Sequence, residues 1–367
     1  MKRLSRRQFL VSTAAAAALA GLPGCGGTSG LQDDVVTSGG RLAILNWSEY
    51  LDPELLEGVQ LQLGLDIDYQ ELWEDNYGGQ DLFGPQWDIV TPTNWLAAQY
   101  VRDGSVQRLP VEFIPNHKNI DPVFLTNGWD RGARFHMPWQ SGITGIAYDP
   151  ALTGRELTSV SDLFAPDLKG RVAMIGEMRE AVGLAMLANG DDPARPTVAQ
   201  AETAYLQLEA ANDQGQFHSW VFNEFTDLLK GGQVAASMAW SGDAVQLQLD
   251  RPDIKFVIPD EGAIQWFDTM VIPTGANNAK GAAEWMNTFY DPVLAAANTQ
   301  WVQYISPVLG VEDELRSLGG PAAELANNPV LFPDDETRRR LFIWGGLDST
   351  GDEQDLDDRF AGFLPAT

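Results

Sequence analysis

The chain has 367 residues, 44% of them hydrophobic and 20% charged, the balance of a globular protein with room for two domains and a sizeable core. Its formal net charge of −27 still includes the basic leader residues Lys2, Arg3, Arg6 and Arg7, so the body is more acidic than the total. A charge of that sign argues against nucleic acid and anionic lipid as partners and gathers cations, although plain solubility accounts for it equally well. The single cysteine, Cys25, excludes a disulfide within the chain.

At the N-terminus, Ser5-Arg6-Arg7-Gln8-Phe9-Leu10 is similar to a twin-arginine export signature. The apolar stretch behind it ends at Leu22 and is too short to span a bilayer. Leu22-Pro23-Gly24-Cys25 resembles the bacterial lipoprotein box, in which the signal is cut before the cysteine and the thiol takes a lipid. Pro23 stands where that box usually has a small residue. Residues 1–24 are therefore expected to be a signal peptide and Cys25 a lipid-attachment site. Residues 25–40, rich in Gly, Thr, Ser and Asp, form the expected flexible tether of a protein working in the periplasm or at the cell exterior.

From Arg41 onward, short apolar runs alternate with segments of helical length, the pattern of an α/β fold, with no internal repeat. Strands are expected at 42–45, 65–69, 89–91, 143–148, 171–174, 235–239, 254–258 and 269–272. A helix is expected at 53–63, where Pro53 follows Asp52 at a position suited to a helix start. Others are expected at 95–102, at 179–188 before the stop signal Asn189-Gly190, and at 198–211 with Thr197 as N-cap and Gln200 as its capping-box partner. Two more, at 280–290 and 292–302, are separated at Asp291-Pro292.

Two aromatic-acidic clusters follow apolar runs: Asn46-Trp47-Ser48-Glu49-Tyr50 and Trp266-Phe267-Asp268. Ring faces attract positive charge and carboxylates neutralise ammonium groups, so this combination suits a flexible organic cation. Trp47 and Glu49 share one face if the segment is extended, whereas a tight turn brings Trp47 and Tyr50 together. From composition alone a buried Trp47 is the commoner outcome, because tryptophan contributes so much apolar contact area.

The order of further motifs resembles the bacterial polyamine-binding proteins that serve ATP-driven spermidine and putrescine importers. The landmarks are the first cluster, Asp88-Ile89-Val90-Thr91-Pro92-Thr93, Met178-Arg179-Glu180, Met238-Ala239-Trp240-Ser241-Gly242, Gly262-Ala263-Ile264-Gln265 before the second cluster, and Pro333-Asp334-Asp335-Glu336-Thr337. Each is weak alone; together they run in order over most of the body. The resemblance implies a two-lobed periplasmic-binding-protein fold of type II, with lobes joined by crossing strands and a ligand cleft between them. Residues 41–142 with 268–311 would form one lobe, and 143–267 with 312–367 the other.

The resemblance also implies the ligand-binding residues. Trp47 and Tyr50 match an aromatic wall, with Ser48 and Glu49 between them, and Thr93 matches a hydroxyl position. Trp95 stands where the family often has tyrosine; it also begins a helix and can simply pack inward. Glu177 and Glu180 match an acidic pair that an amine can bridge, although a charged helix start explains them from sequence alone. Arg179 would contact a lobe or orient a carboxylate. Trp240 and Trp266 match aromatic positions, Asp268 matches the acid that meets an amine, and Asp243 is an additional acid. Tyr304 matches a further ring, with Trp301 as its rival. Trp344 lies where the family commonly offers a polar amide.

The implied mechanism is capture of a protonated polyamine, closure, and docking on an ABC permease in the inner membrane, by a monomer without cofactor, metal or covalent chemistry. An exported hydrolase is the rival from another class, but there is no G-x-S-x-G or H-E-x-x-H, and His117, His136 and His218 are scattered. A sensor for an organic cation would use the same binding residues. The acidic character argues against an anion, and the lack of clustered histidines against a metal.

Overall fold

A computed structural model describes residues 40–72, 86–126 and 128–364. The expected signal peptide, Cys25 and the tether up to residue 39 lie outside the described residues. The principal elements begin with β1 (Gly40–Trp47), α1 (Pro53–Leu63), β2 (Leu65–Leu72), β3 (Ile89–Val90), α2 (Asn94–Asp103) and β4 (His136–Tyr148). Next come β5 (Val172–Ile175), α3 (Met178–Ala188), α4 (Val198–Asp213), β6 (Phe217–Val221), α5 (Phe225–Lys230), β7 (Ala236–Trp240) and α6 (Ser241–Asp250). The chain continues through β8 (Lys255–Val257), β9 (Ala263–Val271), α7 (Ala279–Phe289), α8 (Pro292–Val302), α9 (Val311–Leu318), α10 (Gly320–Leu325), β10 (Leu341–Phe342) and α11 (Thr350–Phe360).

The chain divides into two compact α/β units, one reaching to Ser141 and resuming over Phe267–Asn328, the other formed by Gly142–Trp266 with the residues from Pro329 onward. The first two passages between units fall within β4 and β9, one residue before the expected positions. The third corrects the expectation: it follows Asn328, not residue 311. Val311 and Leu315, one turn apart on α9, are both buried, and α9 packs against α8 and α10. That apolar stripe keeps the segment with the first unit.

In the first unit, β1 lies between parallel β2 and β3, and Val90 of β3 pairs antiparallel with Val271 at the end of β9. Leu42, Ala43, Ile44 and Leu45 are all buried, so β1 is covered on both faces, as parallel strands usually are. Helix α1 is set by local chemistry: the Asp52 carboxylate accepts the Glu54 N–H at 2.9 Å, Pro53 opens the first turn, and Gly64 ends it at φ 62°. Such a cap is worth about 1 kcal/mol.

In the second unit, the later part of β4 pairs antiparallel with β7 and β8, β5 lies parallel to β6 and β7, and β10 is parallel to the start of β9. The capping box at α4 forms as expected, with Gln200 N–H on Thr197 Oγ1 and Thr197 N–H on Gln200 Oε1. Strand β6 and the first half of β4 carry no strong alternating pattern and were absent from the expectation. Asn46 and Trp47 complete β1, and Trp266, Phe267 and Asp268 lie inside β9; neither cluster simply follows a strand. Gln265 and Asp268 interrupt the apolar run that otherwise signals β9.

Candidate functional site

The first unit places one cluster around Asp268. The chain leaves β1 through a turn in which Glu49 adopts φ 59°, a left-handed conformation uncommon outside glycine. Its N–H donates to Glu71 Oε1 at 3.2 Å. This is the tight-turn alternative: the turn brings both the Tyr50 hydroxyl and the Trp47 indole toward the Asp268 carboxyl, and the Tyr50 hydroxyl donates to it. Trp47 and Ser48 are half-buried, Glu49 is exposed and Tyr50 is buried. Tyr304 joins the group, its ring 5.6 Å from that of Tyr50 at 58°.

Asp268 is 2% exposed, and its Oδ1 has no hydrogen-bond partner. Burial pushes its carboxyl up to about 7, against the opposing pull of the Tyr50 hydroxyl and the Trp47 indole nearby. A buried acceptor without a donor is unfavourable by roughly 1–3 kcal/mol, so the position is one that an incoming N–H would stabilise. Half-buried Thr93 forms a bridge with Asp268 at the entrance to α2 and makes no capping hydrogen bond there. Trp95 is half-buried within the first turn of that helix. Asn94, between them, accepts the Phe267 N–H at 3.3 Å and ties α2 to β9.

The second unit places another cluster around Glu180. Trp240 Nε1 donates to Glu180 Oε2 at 2.7 Å, and the Thr144 hydroxyl donates to the same oxygen. Trp266 Nε1 in turn donates to Thr144 Oγ1 at 3.1 Å. The two indoles meet edge to face, with centroids 6.3 Å apart at 73°. A Cβ on Gly142 would come within 2.4 Å of Trp266 Cζ2, so this indole can lie here only against glycine.

Glu177 and Glu180 engage different partners. Glu177 caps α3, accepting the Glu180 N–H at 3.0 Å, and takes Arg179 Nη1 at 2.9 Å. Arg179, buried, also binds Glu353 and Asp357 of α11, so its role is to fasten the C-terminal helix and orient Glu177. Asp243 accepts from Asn223 Nδ2 at 3.3 Å. Trp344 is buried in the second unit beside Gly345, whose N–H donates to Pro193 O at 3.0 Å.

The residues that sequence reasoning missed are Thr144, Asn94, Glu353 and Asp357. None sits in a recognisable motif, and each meets its partner only across the fold. The three histidines do not converge chemically: His117 bonds the Ile114 carbonyl, His218 the Ser219 hydroxyl, and His136 the buried Asp130 at 2.7 Å.

A family model described as bacterial extracellular solute-binding protein matches residues 69–332. The chain is 28% identical over 301 residues to the spermidine/putrescine-binding periplasmic protein of Escherichia coli (strain K12), covering 81% of this chain and 84% of that protein. It is 25% identical over 341 residues to the putrescine-binding periplasmic protein SpuD of Pseudomonas aeruginosa (strain UCBPP-PA14), covering 83% and 87%. Among solved structures, the spermidine/putrescine ABC transporter substrate-binding protein PotD of Streptococcus pneumoniae aligns with TM-score 0.74 and 26% identity over 88% of this chain and 99% of that one. The Tp0655 lipoprotein of Treponema pallidum, at 16% identity and TM-score 0.75 over 88% and 99%, shares the fold. The type II periplasmic-binding-protein fold expected from sequence is thus the fold of this chain, which belongs to the bacterial extracellular solute-binding protein family.

Proposed function

We propose that this protein binds a polyamine, spermidine or putrescine, outside the cytoplasm and delivers it to an ABC-type permease. The observation that carries the reading is Asp268: a buried carboxyl with Oδ1 unpartnered, beside Trp47 and Tyr50, with the Tyr304 ring against that of Tyr50. An ammonium supplies the missing N–H donor and the compensating charge, while ring faces contribute about 0.5–2 kcal/mol. Carboxylates therefore set the position of the amine and aromatic rings its shape. Ser48, Glu49, Thr93, Trp95 and Glu177 complete the proposed contacts to the ligand in the first unit and at the start of α3.

Glu180, held by Trp240 and Thr144, is the corresponding carboxylate of the second unit, with Trp266 beside it. Similarity to spermidine/putrescine-binding proteins supports the same ligand class. The reading needs no covalent chemistry. It includes export by the twin-arginine route, a lipid anchor on Cys25 and action as a monomer.

Titration calorimetry against putrescine, spermidine, spermine, amino acids and sugars tests it. Binding of at least one amine is the expected result; a folded protein that binds none of the amines overturns the reading.

A further inference from the structure

Val90 of β3 pairs antiparallel with Val271 of β9, and Thr93 pairs with Asp268 in the same register. Between these pairs Thr91 stands opposite Met270, and the next pair is closed by the Thr269 N–H donating to Pro92 O at 2.8 Å. Side chains alternate along a strand and opposed residues share a face, so Thr91 and Asp268 are diagonal neighbours on one face of the sheet. Thr91 is 4% exposed, and its Oγ1, like Asp268 Oδ1, has no hydrogen-bond partner among the described residues. Asn46, which follows the Leu45–Val90 pair on β1, bonds other groups: its Nδ2 donates to the Tyr69 hydroxyl and its Oδ1 accepts the Trp47 N–H, each at 2.9 Å. Two buried oxygens without donors are thus diagonally adjacent where the parallel strands β1 and β3 end, and it is at the carboxyl ends of such strands that α/β sheets bind ligands.

We propose that Thr91 is a second acceptor for the ligand's terminal ammonium beside Asp268, and that the pair selects a primary ammonium over one whose N–H groups are replaced by methyls. Side-chain origins related diagonally across antiparallel strands lie roughly 7 Å apart or less. One nitrogen donating at about 2.8 Å to each of two oxygens bridges that gap once the side chains add their own reach. A primary ammonium carries three N–H donors and serves both oxygens. A dimethylated one keeps a single N–H, so one buried oxygen stays unpaired, which is unfavourable. Without a ligand the Thr91 hydroxyl is a buried polar group that stabilises nothing, and an apolar side chain of the same shape would fold at least as well. Thr91 is thus a specificity residue, and its place in a strand-like run of the sequence gave no reason to single it out.

This inference rests on the polyamine reading, and the test separates the two. Calorimetry with the full chain compares putrescine and spermidine with counterparts dimethylated at both terminal nitrogens. For whichever parent amine binds, Thr91→Val should lower the affinity roughly tenfold, the effect of one charge-assisted hydrogen bond, and leave the dimethylated counterpart, weakly bound or unbound, unchanged. Thr91→Ser, which keeps the hydroxyl, should bind the parent amine like the wild type. The melting temperature of ligand-free Thr91→Val should not fall, because no bond within the protein is lost; a merely structural hydroxyl would lower it and shift both affinities by one factor. A folded Thr91→Val that binds the parent amine as tightly as the wild type, or that loses affinity for both forms equally, overturns the inference while leaving polyamine binding intact. Thr91→Ala removes the same oxygen should the valine variant fail to fold, and failure of both variants to fold overturns the inference too. Wild-type protein that binds neither putrescine nor spermidine overturns the polyamine reading and the inference with it.

Discussion

The Tyr50 hydroxyl donates to the buried carboxyl of Asp268, joining the turn after β1 to the middle of β9. That bond explains why a carboxyl can sit 2% exposed in a strand otherwise lined by apolar side chains. It also leaves Oδ1 for another donor. Replacing Asp268 by Asn keeps the shape and removes the charge. Amine affinity is expected to fall at least a hundredfold, equivalent to about 2.7 kcal/mol, with little loss of melting temperature. Parallel calorimetry and thermal melting check this, and proportionate losses in both would recast Asp268 as structural.

The pH dependence follows from the raised carboxyl of Asp268. Its folded value, about 7, lies above that of an unfolded aspartate, so the folded state favours the protonated form. This contribution to stability is fully present below about pH 4 and is lost as pH rises through about 7, with a slope of up to about 1.4 kcal/mol per pH unit. An ammonium ligand favours the ionised carboxylate instead. Below about pH 7, binding should release a proton, and affinity should rise with pH before levelling off. Calorimetry near pH 6 in buffers of different ionisation enthalpy measures the released proton; an observed enthalpy independent of buffer would contradict this assignment.

Arg179 sits among Glu177, Glu353 and Asp357 with a side chain 7% exposed. Replacing it by Leu leaves three carboxylates without their shared cation, two of them on α11. Removing one partner of such a buried network costs roughly 3–5 kcal/mol. Urea unfolding should show that loss. A change below about 1 kcal/mol would mean that the carboxylates are well solvated without Arg179.

Gly142→Ala places a methyl group where the Trp266 ring lies. The indole must move, and its bond to Thr144 lengthens or breaks. Overpacking of this kind typically costs about 1–3 kcal/mol. Thermal melting and tryptophan emission should both shift, whereas Gly190→Ala, at a left-handed position with open space around it, should lower stability without changing Trp266.

Local chemistry made much of the fold legible. Asp52-Pro53 and Gly64 bound α1, Thr197 and Gln200 start α4, and continuous apolar runs mark β1 and β5, because caps and periodicity act between near neighbours in the chain. Strand β6, with its mixed pattern Phe217–Val221, did not announce itself. The third passage between units was misplaced because the stripe Val311 and Leu315 reveals that α9 is amphipathic, not which unit receives its apolar face.

The sequence by itself determined the α/β class, the family resemblance and the residue types suited to an organic cation. Only the tertiary structure decided what each acid does. Glu177 and Glu180 are three residues apart, yet one binds Arg179 while the other meets Thr144 and Trp240. A carboxylate's role depends on the donors and the burial around it, and those come from strands and helices distant in sequence. Spacing can put two acids on one helical turn, but packing chooses their partners.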